Sequence, residues 1–173
     1  MKKKKFVAII GHGRSGKSTI IQSFTGCGGK AIGEFADFGI YIMNNLRRTP
    51  PYKMYVIPNS PQEDYRLGLA QLAQVFNRAV GDNECLGIVM AIRPNRPRKR
   101  IRMEQVFNLV QEIGRFEISL FVLNPGRNGN VVTPESITGR LNLGIQPISL
   151  NALDFAYFNA RIIQERTNIL PDD

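Results

Sequence analysis

The sequence predicts an α/β fold, in which a mostly parallel sheet of about six strands carries helices on both faces. Apolar runs of strand length alternate with amphipathic helical segments along the whole chain, an order typical of a parallel sheet. A glycine-rich turn follows the first apolar run directly and leads into a helix. With 173 residues, 43% of them hydrophobic, the chain is long enough to bury the core of a single domain.

The first half of the chain is expected to form three strands and two helices. The second and third strands follow each other closely and are predicted to form an antiparallel pair. Ser60 marks the start of the second helix, because this capping serine is followed by a proline and then by a glutamate at the third position. The predicted elements are a strand at Phe6–Ile10, a helix at Ser18–Thr25, strands at Phe38–Met43 and Tyr52–Ile57, and a helix at Ser60–Val80.

The second half repeats the alternation of buried strands and amphipathic helices. The strand Leu86–Ile92 is a fully apolar run, as expected for a strand that is covered on both faces, and Phe116–Leu123 is predicted to be the next buried strand. In the last helix, Phe155, Phe158 and Ile162 recur at helical spacing and are expected to face the core. The predicted elements are strands at Leu86–Ile92, Phe116–Leu123 and Ile145–Leu150, and helices at Met103–Ile113, Thr133–Gly139 and Asn151–Asn168.

The most specific signal is the motif G-x-x-x-x-G-K-S-T at residues 11–19, between the first strand and the first helix. Such glycines curl the backbone so that successive N–H groups point at phosphate oxygens, and the helix N-terminus adds a positive field. Lys17 is placed to reach the outer phosphates, and the Ser18 hydroxyl to ligate Mg²⁺. The sequence therefore predicts a site for a nucleoside triphosphate, GTP or ATP, with Mg²⁺. The residues expected to form it are Gly11, His12, Gly13, Arg14, Ser15, Gly16, Lys17, Ser18 and Thr19.

The net charge of +9 comes from two short segments, because the rest of the chain holds 13 basic and 14 acidic residues. The first, Lys2–Lys5, is predicted to be a basic tail (residues 1–5) ahead of one nucleotide-binding domain (residues 6–170). The second is interrupted by prolines, and three interpretations stay open for it. They are a docking surface for nucleic acid or another polyanion, a lid that closes over phosphates, and a solvated loop. Its basic residues are Arg93, Arg96, Arg98, Lys99, Arg100 and Arg102.

Composition argues against several other classes of protein. No apolar run approaches the roughly 20 residues of a membrane-spanning helix. Cys27, Cys85 and the single His12 lack the spacing of a zinc site or a disulfide framework. We therefore expect a cytoplasmic protein without a membrane span.

The order of the elements, together with the motif at residues 11–19, resembles the small-GTPase branch of the P-loop NTPases over nearly the whole chain. The resemblance implies a three-layer P-loop NTPase fold and a nucleotide-dependent switch that acts on a protein or nucleic-acid partner. It also implies two candidate catalytic residues. Gln62 would orient a water molecule, and Arg14 is long enough to supply the charge that a partner's arginine brings in related GTPases.

Two further family motifs are altered in this chain. In place of D-x-x-G-Q-E, Pro58 stands at the aspartate and Pro61 at the glycine, while Gln62 and Glu63 match. Proline has no N–H, so position 61 cannot donate a hydrogen bond to a γ-phosphate. Without the aspartate, the hydration shell of Mg²⁺ loses an anchor. The loop Cys27–Asp37 also lacks the threonine that senses the γ-phosphate in this family.

The base-reading motifs are altered as well. In place of N-K-x-D, Asn124 matches, Pro125 replaces the lysine and Arg127 replaces the aspartate. Arginine only donates hydrogen bonds, so it cannot accept those of the guanine edge. Asn151 and Ala152 match the family's S-A motif loosely. The resemblance thus places four residues near the base and leaves GTP and ATP as alternatives.

These features predict a GTPase-like triphosphate-binding switch or adaptor with slow or partner-dependent hydrolysis. Whether the chain is an enzyme stays open at this point. Two alternatives remain: a small-molecule phosphotransferase that uses the basic segment as its lid, and a pseudo-GTPase without catalysis.

Overall fold

The computed structural model describes residues 2–25, 40–46, 52–63, 67–95 and 100–169. The whole predicted loop Cys27–Asp37, together with Arg96, Arg98 and Lys99 of the basic segment, lies outside these ranges. The strands are β1 (Lys4–Ile10), β2 (Tyr41–Leu46), β3 (Tyr52–Ile57), β4 (Cys85–Ile92), β5 (Phe116–Asn124) and β6 (Ile148–Asn151). The helices are α1 (Lys17–Thr25), α2 (Leu69–Gly81), α3 (Met103–Ile113), α4 (Pro134–Leu141) and α5 (Ala156–Thr167).

The strands form one sheet in the order β2-β3-β4-β1-β5-β6. The five strands from β3 to β6 in this order run parallel to one another, and β2 pairs with β3 in the antiparallel sense. The predicted α/β class with a parallel sheet is confirmed. Because β1 lies between β4 and β5, the segments that leave these two neighbours flank the turn that follows β1.

The sheet is buried on both faces, and β1 is its centre. All residues from Phe6 to Ile10 are fully buried, and they alternate between two separate apolar clusters. One cluster includes α2, α3 and α4, and the other includes α1 and α5. Phe6 makes edge-to-face contacts with Phe76, Phe107 and Phe116, at centroid distances of 5.5, 5.8 and 5.8 Å. The strand that precedes the glycine-rich turn is therefore held by both cores.

Local patterns predicted the central elements well. Helix α3 has the predicted bounds, buries Met103, Val106, Phe107 and Val110, and ends at Gly114 in the left-handed conformation. Strands β4 and β5 agree with the prediction to within one residue at each end. β1 begins at Lys4, two residues before the predicted start. Within the described ranges, the structure contains no helix that is both long and apolar enough to span a membrane.

The predicted start of the second helix is wrong, since α2 begins at Leu69. Ser60 instead closes a tight turn, in which its hydroxyl donates to Glu63 Oε2 (3.0 Å) and its carbonyl accepts from the Glu63 N–H (2.8 Å). A serine three residues before a glutamate stabilises an isolated turn in the same way as a helix N-terminus. This turn holds Gln62 and Glu63 beside the glycine-rich loop.

The predicted orientation of the last helix is also wrong. α5 begins at Ala156, and its buried residues are Asn159, Ala160, Ile163 and Thr167. Asn151 does not cap this helix, because its Oδ1 accepts from the Leu153 N–H (3.0 Å) in a turn that precedes it. The aromatic residues that were expected to face inward lie on the outer surface instead. The exposed fractions are 79% for Phe155 and 55% for Phe158.

Candidate phosphate-binding site

The glycine-rich loop lies between β1 and α1, at the carboxyl edge of the sheet. A methyl group added at Gly11 would lie 2.7 Å from Ser15 Oγ and 3.1 Å from the Leu123 carbonyl oxygen, so a side chain there would force both neighbours to shift. Gly16 has φ 96° and Arg14 has φ 58°. For Arg14, this left-handed conformation costs about 1–2 kcal/mol. The loop is therefore curled as a phosphate cradle requires, and part of the curl is strained.

Lys17 is folded back into this loop. Its side chain is 4% exposed, and Nζ donates a hydrogen bond to the His12 carbonyl oxygen (2.7 Å). Burial lowers the pKa of Lys17 to about 8, while Glu63 raises this pKa and Arg93 lowers it. Among the residues that the structure describes, no carboxylate forms an ion pair with this ammonium. Such a buried cation favours an anionic ligand.

The pH dependence of stability tests this environment. Because the folded-state pKa of Lys17 lies below that of a free lysine, the unfolded chain binds more protons between about pH 8 and 10.5, and stability rises with pH over that window. We expect Lys17→Met to stabilise the ligand-free protein at pH 7 by up to about 3 kcal/mol. This advantage should shrink as the pH rises from 8 to 10.5. Urea denaturation of both proteins across this range measures it, with the exposed Lys3→Met as the control. A difference that does not vary with pH would contradict the assignment.

Arg93 lies directly over the loop. It follows β4, the neighbour of β1, and a methyl group added at Gly13 would lie 3.2 Å from Arg93 Cζ and 3.3 Å from its Nη2. The same methyl group would lie 3.3 Å from Glu63 Oε1, which is 3.8 Å from Arg93 Nη1. The Arg93 backbone N–H donates to Gln62 Oε1 (3.1 Å). Arg93 and the turn at residues 60–63 therefore contact each other above the apex of the loop.

Three buried polar atoms around this apex have no hydrogen-bond partner: Ser15 Oγ, Gln62 Nε2 and Arg93 Nε. In the described ranges, the other such atom is Asn159 Oδ1. An unpartnered buried polar group costs about 1–3 kcal/mol, so three of them in one place indicate a missing ligand. Each of the three can donate a hydrogen bond. The residues present fit a ligand rich in acceptor oxygens.

Ser18, the predicted metal ligand, lies at the edge of the loop. Its hydroxyl donates to the Pro58 carbonyl oxygen (2.7 Å), so the segment after β3 passes beside the residue that was predicted to ligate Mg²⁺. It arrives there with a backbone oxygen and no carboxylate. Among the described residues, no group of three or more His, Cys, Asp or Glu side chains could hold a metal ion. Hydroxyl and carbonyl oxygens suit Mg²⁺, but two of them form an incomplete set.

His12 joins the loop to the segments on both sides of it. Its Nδ1 lies 3.4 Å from Asn95 Nδ2, and a methyl group added at Gly126 would lie 2.9 Å from His12 Cβ. Burial lowers the pKa of His12, and the charges of Arg93 and Lys17 lower it further. The imidazole is therefore held neutral beside two cations. Arg14 and Thr19 point away from this cluster and are exposed.

The predicted base-side residues lie together at the ends of β5 and β6. Asn124 and Asn151 are register partners, and the Ala152 N–H donates to the Asn124 carbonyl oxygen (2.6 Å). The Asn124 side chain is engaged by the chain itself, since it donates to the Val132 carbonyl oxygen (2.6 Å) and accepts from the Val132 N–H (2.8 Å). Arg127 is exposed. Asn124, Asn151 and Ala152 thus lie together at this end of the sheet, and the Asn124 amide holds the loop after β5.

We expect Asn124→Ala to reduce stability by about 2–3 kcal/mol, because it leaves the polar backbone of the buried Val132 without partners. Thermal unfolding measures this loss, and Asn128→Ala, an exposed position in the same loop, is the control. A variant with unchanged stability and weaker nucleotide binding would show that Asn124 contacts the ligand instead.

Sequence reasoning left three interpretations open for Arg93, a docking surface, a lid over phosphates and a solvated loop, and did not place it at the apex of the glycine-rich loop. The signal that could have found it is its position directly after a buried strand, but the order of strands in the sheet was needed to make that strand a neighbour of β1. Of the other basic residues, Arg102 precedes α3, where its backbone N–H donates to Gln105 Oε1 (2.8 Å), and Arg100 is half-buried.

Comparison with known proteins adds little. No protein-family model matches the chain, and no curated protein matches it. Among solved structures, a gluconokinase from Sinorhizobium meliloti 1021 is similar over 97% of this chain and 98% of its own, with 12% sequence identity and a TM-score of 0.38. At this level of similarity, no substrate or activity transfers. The P-loop NTPase-like character of the fold rests on the chain's own geometry, a G-x-x-x-x-G-K-S loop between the central strand of a parallel sheet and the next helix.

Proposed function

We propose that this chain binds a nucleoside triphosphate and acts as a switch or adaptor for a partner, with hydrolysis that is slow or depends on that partner. The observation that carries the proposal is the pair of cations at the glycine-rich loop. Lys17 is buried inside the loop and Arg93 lies over its apex, close to donors that have no partner. A triphosphate supplies the anionic oxygens for all of them.

In the proposed complex, the phosphates accept hydrogen bonds from the backbone N–H groups of residues 13–18, as anions do at helix N-termini. Lys17 exchanges the His12 carbonyl oxygen for a phosphate oxygen. Ser15 Oγ and the Arg93 guanidinium become donors to the ligand. Each exchange gives a buried polar group a charged acceptor, which makes these hydrogen bonds stronger than neutral ones.

Slow hydrolysis follows from the state of Gln62. Its side chain is 1% exposed, and its Oε1 already accepts from the Arg93 N–H. To orient a water molecule, the carboxamide must leave this hydrogen bond. Pro61, just before it, offers no N–H to a γ-phosphate. A partner that displaces the turn at residues 60–63, or that works with the exposed Arg14, would raise the rate.

The proposed metal is Mg²⁺, bound by the Ser18 hydroxyl together with oxygens of the nucleotide and water. Mg²⁺ usually keeps several waters and needs few protein ligands, so one hydroxyl is enough for it to accompany the phosphates. For the base, GTP and ATP remain alternatives. The Asn124 amide is bound to Val132, and Arg127 cannot accept the hydrogen bonds of guanine.

A phosphotransferase is the second candidate, and the position of Arg93 favours it. An arginine over the apex of the loop can stabilise charge on a phosphoryl group in transfer. Glu63, 3.8 Å from that arginine, is the described carboxylate nearest the apex and a candidate base. Under this alternative, the basic segment at residues 93–102 is a lid. Under the switch proposal, it is a docking surface for a protein, a nucleic acid or another polyanion.

Titration with fluorescent GTP and ATP, followed by a phosphate-release assay, tests the proposal. We expect saturable binding in the presence of Mg²⁺ and release below roughly 10⁻³ s⁻¹ without a partner, near the intrinsic rate of GTPases that lack an arginine finger. Binding with rapid transfer to a small-molecule acceptor, lost in Glu63→Gln, would support the phosphotransferase. Absence of binding to both nucleotides would leave the non-catalytic pseudo-GTPase.

A further inference from the structure

The described part of the chain has five large apolar side chains that are more than half exposed. They are Val131 (61%), Leu153 (82%), Phe155 (79%), Tyr157 (60%) and Phe158 (55%). Single exposed apolar residues are ordinary, but four of these five lie within six consecutive positions. We call this set the apolar corner.

The three aromatic rings of the apolar corner form one continuous surface. The Phe158 ring lies 6.3 Å from the Phe155 ring and 5.9 Å from the Tyr157 ring, measured between centroids. The backbone of Val131 lies near this segment. Its neighbour Val132 is hydrogen-bonded to the Asn124 side chain, and the Asn124 carbonyl oxygen accepts from the N–H of the residue before Leu153. The ends of β5 and β6 therefore present a joined apolar face.

We propose that the apolar corner is the interface of a homodimer, in which it packs against the same surface of a second copy of this chain. Aromatic side chains bury about 150–250 Å² each, so the exposed parts of the corner add up to roughly 500 Å² per chain. A stable interface takes about 800 Å² from each partner, with an apolar, aromatic centre and a polar rim. The corner has the size and composition of such a centre.

The distribution of charge favours a second copy over a polyanion. Residues 151–167 contain two acidic and two basic side chains, and Arg161 and Glu165 pair on the surface of α5 (3.8 Å). Arg93, the first basic residue of the segment, follows β4, three strands from β6, or roughly 14 Å. That distance exceeds the Debye length in physiological salt, about 8 Å. Lys2 and Lys3 precede β1 and lie at the opposite edge of the sheet. Two copies can thus meet at the corner without bringing their cationic segments together.

Sedimentation equilibrium of the full chain tests this proposal, at concentrations up to about 100 µM, a hundredfold above a micromolar dissociation constant. We expect a mass of about twice the 19.4 kDa of one chain for the parent protein. The double variant Phe155→Glu, Phe158→Glu should sediment as a monomer, because it places like charges face to face in a symmetric interface. The control Ala70→Glu, Asn77→Glu adds the same charge to exposed positions of α2 and should remain a dimer.

Both aromatic substitutions are at exposed positions, so they should not unfold the chain. The melting temperature of the monomeric double variant should lie within a few degrees of that of the parent protein. A monomeric parent protein would overturn the proposal. The apolar corner would then be a binding surface for an apolar groove on a different protein. A double variant that still dimerises would overturn it too, since the dimer would then form through another surface. The experiment uses no nucleotide, so its failure is distinct from a failure of the proposed function.

Discussion

Lys17→Ala is expected to weaken triphosphate binding by roughly 100-fold. The substitution removes the buried ammonium of the loop, and a charge-assisted hydrogen bond together with its Coulomb attraction amounts to about 3 kcal/mol in such a site. Isothermal titration with GTP and ATP in the presence of Mg²⁺ measures the change in the dissociation constant.

Lys17→Met is the matched variant for that experiment. It keeps the apolar stem and removes only the charged end, so it should lose the same affinity while unfolding at a higher temperature than the parent protein at pH 7. This combination separates loss of binding from loss of folding. If both variants bind triphosphates within threefold of the parent protein, Lys17 does not hold the phosphates.

Arg93→Ala is expected to weaken binding of a triphosphate by roughly tenfold and binding of the corresponding diphosphate by much less. The guanidinium lies over Gly13 at the apex of the loop, where the outermost phosphate of the ligand is expected. The substitution leaves the backbone N–H of residue 93 in place, so the hydrogen bond to Gln62 is retained and the turn at residues 60–63 keeps its support.

The Arg93 comparison needs two further proteins. Arg93→Lys keeps the charge without the two-pronged geometry, and its affinity for the triphosphate should be intermediate. Arg166→Ala, at an exposed position in the last turn of α5, should bind like the parent protein. Equal losses of triphosphate and diphosphate affinity in Arg93→Ala would contradict a role at the outermost phosphate.

The parts of the molecule that the sequence predicted best depend on local interactions. The strand Phe6–Ile10 is apolar throughout because both of its faces are buried, and the loop that follows has a spacing that few other structures require. Helix α3 was equally clear, since one apolar stripe and one terminal glycine define it. In these segments, the pattern along the chain and the environment in the fold carry the same information.

The errors arose where contacts with distant parts of the chain determine the local structure. The spacing of Phe155 and Phe158 indicates a helical stripe, but spacing cannot tell whether that stripe meets the core or the solvent. The signal at Ser60 stabilises a turn as readily as a helix. Arg93 was separated from the phosphate loop because its place depends on β4 lying beside β1, a pairing of strands that are about 80 residues apart.

The resemblance to small GTPases was informative in a similar, partial way. It grouped Asn124, Asn151 and Ala152 as residues near the base, and these three lie at one end of two neighbouring strands. It gave Pro58 the place of an aspartate, and the Pro58 carbonyl oxygen accepts from Ser18. It implied no role for Arg93 or Glu63. The pair that Arg93 and Glu63 form at the apex lies outside what that resemblance implied, and it is the basis on which the switch and phosphotransferase proposals differ.

The central claim is that the loop at residues 11–19 binds the phosphates of a triphosphate largely independently of its base. The most direct measurement is the melting temperature of the parent protein with Mg²⁺ and, separately, excess tripolyphosphate, GTP and ATP. A ligand that binds only the folded state raises the melting temperature. At 100 times its dissociation constant, it increases the free energy of unfolding by about 2.7 kcal/mol. We predict a rise with all three ligands that is much smaller in Lys17→Ala at the same ligand concentrations. An unchanged melting temperature with every ligand would contradict the claim.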